Sequence, residues 1–220
     1  VSRGLGDVYK RQYVDGVIVE ETPVCDAPLN ITLDNMTSES VEISWDPGAS
    51  QESQWEYVLQ EAGADQPTAS GALIDTSSIL LEGLVQGAEY EFYVRAACDD
   101  GSFSSYVPNN GLYFKIPPVG GICADPLVIE SFPFNVTDDT ANYGDNYNGL
   151  PGDAESCGTS SSFLNGDDVF YSYTAPYDMS VTVTFSPLGS YAGIFLYDSC
   201  DSVGLSCIAG ASSFGVEEHV

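Results

Sequence analysis

The segment GDDVFYSYTAP, residues 166–176, sets two adjacent carboxylates, Asp167 and Asp168, directly before an alternating aromatic run. Upstream, DDTANYGDNYNGLPGD (138–153) adds Asp139, Asp145 and Asp153 among amides and glycines. Oxygen donors at this density, on loops that can fold back, suit a hard divalent cation, which takes six to eight of them from carboxylates, amides and backbone carbonyls. Calcium held by Asp139, Asp145, Asp153 and Asp167 is therefore one expectation, although the EF-hand spacing is absent. Glycoside hydrolysis is the other chemistry open to paired acids. Neighbouring side chains on an extended chain point to opposite faces, so Asp167 and Asp168 cannot form one dyad, although either could partner Asp145 or Asp153. Tyr143 and Tyr147, interleaved with Asn142, Asn146 and Asn148, have the means to stack a sugar ring and bond its hydroxyls. The competing expectation is that both rings cover a β-sheet core.

Other chemistries are closed off. His219 is the single histidine, and it stands next to the last residue, so Ser-His-Asp and Cys-His arrangements have no base to build on. The six cysteines, Cys25, Cys98, Cys123, Cys157, Cys200 and Cys207, form an even set with no CxxC pair. Zinc sites of Cys and His spacing are excluded, and disulfides in an oxidising compartment are the expectation.

The charge bounds the partners. There are 33 Asp plus Glu against 5 Lys plus Arg, a formal net charge of −28. Arg3, Lys10 and Arg11 all fall in the first twelve residues, VSRGLGDVYKRQ, so the rest of the chain carries Arg95 and Lys115 alone as cations. Such a surface repels nucleic-acid phosphates and anionic membranes. It suits solubility in a saline or calcium-containing extracellular medium, where repulsion is screened or neutralised. No apolar run approaches the roughly 20 residues that span a bilayer.

These residues must be positioned by strands. VEISW (41–45), YEFYVRA (90–96), DVFYSYT (168–174) and SVTVTF (180–185) alternate with period two. Val41, Ile43 and Trp45 share one face, with Glu42 and Ser44 on the other. Turn clusters such as DPGAS, CDDGS, NNG and NGLPGD separate the runs, and Asp99, Asp100 and Gly101 read as a hairpin turn. No segment carries a helical stripe, so the fold class is all-β, with two tandem sandwiches. Their boundary falls at KIPPVGG (115–121), with residues 118–121 as linker: paired prolines stiffen the chain and paired glycines end any pairing. The N-x-S/T asparagines Asn30, Asn35 and Asn135 are taken as turn residues.

Residues 24–117 resemble a fibronectin type III domain. The carriers are the early proline of CDAPLNITL, SVEISW with Trp45, EYVLQ, and LEGLVQGAEYEFYVRAACDDGSFS. Within the last, residues 84–90 match the family's tyrosine corner, in which the Tyr90 hydroxyl bonds back to nearby backbone and its ring covers the end of the core. The resemblance turns Tyr90, Phe92, Val94 and Ala96 inward and Glu91, Tyr93 and Arg95 outward. A variant of the family common in secreted bacterial proteins implies a Cys25–Cys98 bridge.

Residues 122–220 resemble the bacterial pre-peptidase C-terminal domain, a small jelly-roll-like sandwich, through ICADPLVI, Cys157, NGDDVFYSYTAP, SVTVTF and GIFLYDSC. The resemblance makes Asp168 the opening of a core strand and a turn former that accepts backbone N–H bonds, with Asp167 left to solvent or metal and neither catalytic. That family usually ends with two further strands, so this unit is expected to be C-terminally truncated, with an unpaired edge. Residues 1–12 resemble translated adaptor sequence and are set aside from the fold. Residues 13–23, YVDGVIVEETP, read as the last strand of a preceding module, and any export signal is expected elsewhere in a longer protein.

The expected bridges, each inside one unit, are Cys25–Cys98, Cys123–Cys157 and Cys200–Cys207, the first worth about 4 kcal/mol and the last about 2.5 kcal/mol by loop entropy. The functional expectation is a monomeric, non-catalytic spacer, adhesive or substrate-targeting region of a secreted or cell-surface protein, of the kind strung together by marine Bacteroidetes-like bacteria. Its partners would be extracellular polysaccharide or protein surfaces. The alternatives are an ancillary region of a secreted peptidase or glycoside hydrolase, and a carbohydrate-binding module.

Overall fold

A computed structural model of the protein describes residues 25–186 and 191–214. The adaptor-like tail (1–12), the stray strand (13–23) and His219 lie outside the described residues. Seven strands make the first unit: β1 (Leu29–Met36), β2 (Ser40–Asp46), β3 (Trp55–Glu61), β4 (Ala72–Ile74), β5 (Ser78–Glu82), β6 (Glu89–Ala96) and β7 (Val107–Lys115). They pair antiparallel in a three-stranded sheet, order β1-β2-β5, and a four-stranded sheet, order β4-β3-β6-β7.

Alternation does the sorting. In β2, Val41 and Ile43 are fully buried and Trp45 nearly so, while Glu42 and Ser44 face outward. In β6, Phe92, Val94 and Ala96 are fully buried. The two inner faces close on each other around Trp45, with Trp55 edge-on at 6.0 Å and Phe92 at 6.0 Å. Each large apolar side chain so enclosed contributes roughly 1.5–3 kcal/mol. Phe114 and Ile116 of and after β7 seal the far side of this core. The tyrosine corner forms as expected: the Val85 N–H donates to the Tyr90 hydroxyl at 3.2 Å, and the Tyr90 ring stacks on Phe114 at 5.7 Å.

The outer face of the four-stranded sheet departs from expectation. Tyr93 points outward yet is 2% exposed. The chain after β6 folds back over it and sets Tyr106 against its ring at 6.3 Å. Beside it, Glu56 and Arg95 stand directly opposite each other in the β3–β6 register and pair at 2.6 Å. Glu56 also accepts the Tyr106 hydroxyl at 2.5 Å, and the Arg95 guanidinium lies 4.2 Å from the centre of the Phe103 ring and 4.3 Å from that of Tyr106. Burial alone would raise the Glu56 carboxyl, but hydrogen bonds from Tyr106, the Gly71 N–H and Arg95 together hold it below its ordinary value. Asn30 and Asn35 also differ from expectation, since both lie inside β1 rather than in turns. Register shifts in β1 make room for them: Asn30 takes a left-handed φ of 49°, which asparagine tolerates, and its amide reaches Asp46.

The second unit contains β8 (Leu127–Val128), a single helical turn α1 (Ala154–Cys157), β9 (Tyr171–Ser172), β10 (Ala192–Leu196) and β11 (Ala209–Ser213). β8 and β9 pair parallel, and β10 and β11 antiparallel. The strand expected over 168–174 shrinks to the two residues of β9, and 180–185 forms no regular strand. Val181 and Val183 remain 45% and 46% exposed, so the two valines of the alternating face are not enclosed as core positions would be.

Cys25–Cys98 forms as expected, with Cα atoms 5.5 Å apart. The other two pairs are corrected: Cys123 bonds Cys200 and Cys157 bonds Cys207, so Cys123–Cys157 and Cys200–Cys207 do not occur. The cause is the approach of β11 to α1. A side chain at Gly210 would lie 2.5 Å from the Cys157 carbonyl, and one at Gly152 would lie 2.7 Å from the Cys157 sulfur. Two glycines therefore let Cys207 reach Cys157, the Cys207 N–H donating to Ser156 Oγ at 3.0 Å. Cys200 is left to close on Cys123. Both bridges then close loops long enough to be worth about 4 kcal/mol each on the chain-entropy model, the second well above the short loop expected.

Candidate functional site

The acidic loops of the second unit converge on Asp168. Its N–H donates to the Gly144 carbonyl at 3.2 Å, and its carboxylate accepts the Tyr147 N–H, so it ties its segment to the distant 144–147 loop rather than closing the local turn expected of it. The other carboxylate oxygen, Oδ2, is buried and has no hydrogen-bond partner. Burial first, then the charge of Asp145, and less so that of Asp167, push the Asp168 carboxyl up to about 7. Behind it, Tyr197 is pushed up to about 12 by burial and by the Asp168 charge, and its hydroxyl donates to the Pro151 carbonyl at 2.8 Å. Asp168 is thus the one carboxyl of the cluster tuned toward neutral-range proton exchange, the property a general acid or base needs.

The four residues expected to hold calcium do not assemble as a set. Asp145 and Asp167 lie against Asp168, both exposed. Asp153 caps α1 instead, accepting the N–H groups of Glu155 and Ser156 and the Ser156 hydroxyl, which hold its carboxyl below its ordinary value. Asp139 caps the 3₁₀ turn Thr140–Asn142 through the Ala141 N–H. Among the described residues, no group of three or more His, Cys, Asp or Glu is placed to hold a metal ion.

The two tyrosines singled out for sugar stacking are engaged internally. The Tyr147 hydroxyl accepts the Cys123 N–H at 3.2 Å, and its ring packs on Phe170 at 4.8 Å. The Tyr143 hydroxyl donates to Asp138, and Gly120 packs against its ring. Asp138 was missed by sequence reasoning. It accepts from Tyr143, Asn142, Tyr171 and the Asp139 N–H, which hold its carboxyl below its ordinary value. A signal was present in its spacing, since Asn142 and Tyr143 follow four and five residues on.

At one end of the first unit, Glu52, Gln54, Asp75, Ala97, Cys98 and Asp99 line an acidic cleft of about 560 Å³. Gln54 spans it to Asp75 at 2.7 Å. Asp100 and Gly101 turn the chain beside it, with the Asp100 carboxylate accepting the Ser102 N–H and hydroxyl and held below its ordinary value by them. This is the turn expected of the CDDGS segment.

Residues 26–109 match the profile of the fibronectin type III domain family. No curated protein matches the chain. Among solved structures, the twitchin kinase region of C. elegans shares 25% identity over 44% of this chain and 17% of its own length, with a TM-score of 0.36. The FN5 domain of Drosophila Lar shares 20% over 41% and 94%, at 0.33. The fn3 domain of the human collagen alpha-1(XX) chain shares 19% over 45% and 90%, at 0.35. The profile match falls within the first unit and does not reach the second.

Proposed function

We propose that this chain is a non-catalytic accessory region of a secreted or cell-surface bacterial protein, acting as a spacer or an adhesive contact with extracellular polysaccharide or protein. The supporting observation is chemical. All six cysteines are engaged in three disulfides, which persist in oxidising compartments and leave no thiol nucleophile. No helix among the described residues is long and apolar enough to cross a membrane. The strongest acid/base candidate is Asp168, and its functional oxygen is enclosed rather than presented to a substrate.

The test uses the purified chain with a panel of soluble and insoluble polysaccharides, measuring retention and release of reducing ends together. Retention without release is the result expected of an adhesive, and neither is expected of a pure spacer. Release of reducing ends that Asp168→Asn abolishes would overturn the reading in favour of a hydrolase.

Calcium remains a proposal on a narrower basis than the sequence suggested, namely the exposed carboxylates of Asp145 and Asp167 with nearby backbone carbonyls. A specific site stabilises by RT ln(1 + [L]/Kd), about 2.7 kcal/mol at a hundredfold excess. Millimolar calcium is expected to raise the melting temperature of the second unit above that in ionic-strength-matched sodium. Equal melts would remove the cation from the proposal.

A further inference from the structure

We propose that residues 116–125 form a rigid joint, clamped by Asp125 on Ser38, that fixes the angle between the sandwich and the second unit. This deepens the spacer reading above and its functional meaning rests on it: a spacer with such a joint sets direction as well as distance.

A segment with paired glycines ordinarily signals flexibility. Here its backbone is bonded from both ends inward. On the sandwich side, the Ile116 N–H donates to Ala88 at 3.0 Å and the Ile116 carbonyl accepts from Gly87 at 2.8 Å. On the other side, Gly121 donates to the Pro118 carbonyl at 2.9 Å and Gly120 to the Asp125 carbonyl at 2.7 Å. The Gly120 carbonyl accepts from Phe170 at 2.8 Å, and that of Gly121 from the Asn146 side chain at 2.9 Å. Pro117 and Pro118, with φ fixed by their rings, occupy the short stretch between these two sets of bonds. What freedom remains lies in the ψ angles of this short stretch.

The glycines are there for fit. Gly120 has φ +88°, and a side chain on it would lie 2.8 Å from Leu127; one on Gly121 would lie 2.7 Å from the Tyr143 carbonyl. The chain can pass this close to the second unit only without Cβ atoms.

The clamp then ties the joint sideways. Asp125 Oδ2 accepts both the N–H of Ser38, at 3.2 Å, and its hydroxyl, and Ser38 is 3% exposed. Ser38 sits on a turn that is itself fixed, with Thr37 Oγ1 accepting from the N–H groups of Glu39 and Ser40, and the Glu39 carbonyl accepting from Leu84. Two donors on one carboxylate are charge-assisted and set its direction. Units within a chain move relative to each other unless a large apolar interface joins them. Beside this clamp lies an open groove of about 400 Å³, lined by Thr37, Ser38, Glu39, Val119, Ala124 and Asp125, so the orientation depends on the clamp and the bonded backbone rather than on an apolar seal.

The test is residual dipolar couplings on the full chain. Amides of the sandwich and of the second unit are expected to fit one common alignment tensor. Asp125→Ala is expected to lose that common tensor and require two, while each unit's internal couplings still fit its own structure. Ser38→Ala, which leaves the second unit's sequence intact, is expected to act in the same direction and covers the case in which Asp125→Ala unfolds its own loop. Two tensors in the unaltered protein would overturn the joint. One tensor retained in both variants would overturn the clamp. Neither result bears on whether the chain binds or hydrolyses anything, so the joint can fail while the accessory role stands, and the reverse.

Discussion

The two units reach order by different means. The sandwich closes one continuous core, in which Val41, Ile43, Trp45, Trp55, Phe92, Val94, Phe114 and Ile116 are buried against each other. Among its described residues, the second unit buries few large apolar groups and leaves many exposed, among them Val128, Tyr177, Leu205 and Ile208, each more than 60% exposed. It is held instead by two long-loop disulfides, by aspartates that cap turns, and by tyrosines bonded to backbone. A β pattern whose apolar face is enclosed, as in β2 and β6, is held by its core. Where that face is not enclosed, as at Val181 and Val183, covalent and polar ties hold the unit instead.

The largest expected effect strikes the sandwich. Phe92→Ala removes the ring at the centre of its core and is expected to cost roughly 3–5 kcal/mol there. Chemical denaturation followed at residues of each unit is expected to show the loss in the sandwich transition. A loss confined to the second unit would erase the distinction between the two.

A pH titration sharpens the comparison, because the units respond in opposite senses. Asp168 has its carboxyl raised to about 7 in the folded protein, above the ordinary value it regains on unfolding. The folded state therefore binds its proton more tightly. Stability from this group is fully present at about pH 4 and is lost as pH rises toward 7. Glu56 is held below its ordinary value, so its contribution is present above about pH 4.5 and is lost as pH falls further. The second unit is expected to melt higher at pH 5 than at pH 8, and Asp168→Asn to flatten that difference without changing the sandwich. A melt of the second unit that is insensitive across this window would contradict the enclosed carboxyl.

The smallest effect is local. Asp153→Ala removes the cap of α1 and is expected to cost about 1 kcal/mol, read as faster hydrogen exchange at Glu155 and Ser156. An unchanged exchange rate would mean that the Cys157–Cys207 bridge alone holds the turn.

Legibility in the sequence follows the same division. Val41, Ile43 and Trp45, the β6 faces and the Tyr90 corner could all be read because period-two burial and a local corner bond are written in neighbouring residues. Tyr93 could not, since its cover comes from Tyr106, thirteen residues on and outside the strand pattern. The disulfides of the second unit were misassigned because their pairing depends on a contact between Gly152, Gly210 and Cys157 that no spacing reveals. That Asp168 accepts a backbone N–H was legible through the family resemblance, but the N–H is that of the distant Tyr147 rather than one of a local turn. The enclosed oxygen of Asp168 was not legible, because burial there is set by Tyr147, Tyr197 and the 144–147 loop together.

The contrast itself is tested most directly by hydrogen exchange on a variant in which Cys123, Cys157, Cys200 and Cys207 are all replaced by alanine and Cys25–Cys98 is kept. Amides of β2, β3 and β6 are expected to keep their protection while those of β9, β10 and β11 lose it. Protection retained throughout the second unit would show that it has a self-sufficient core, and the account of two differently held units would be wrong.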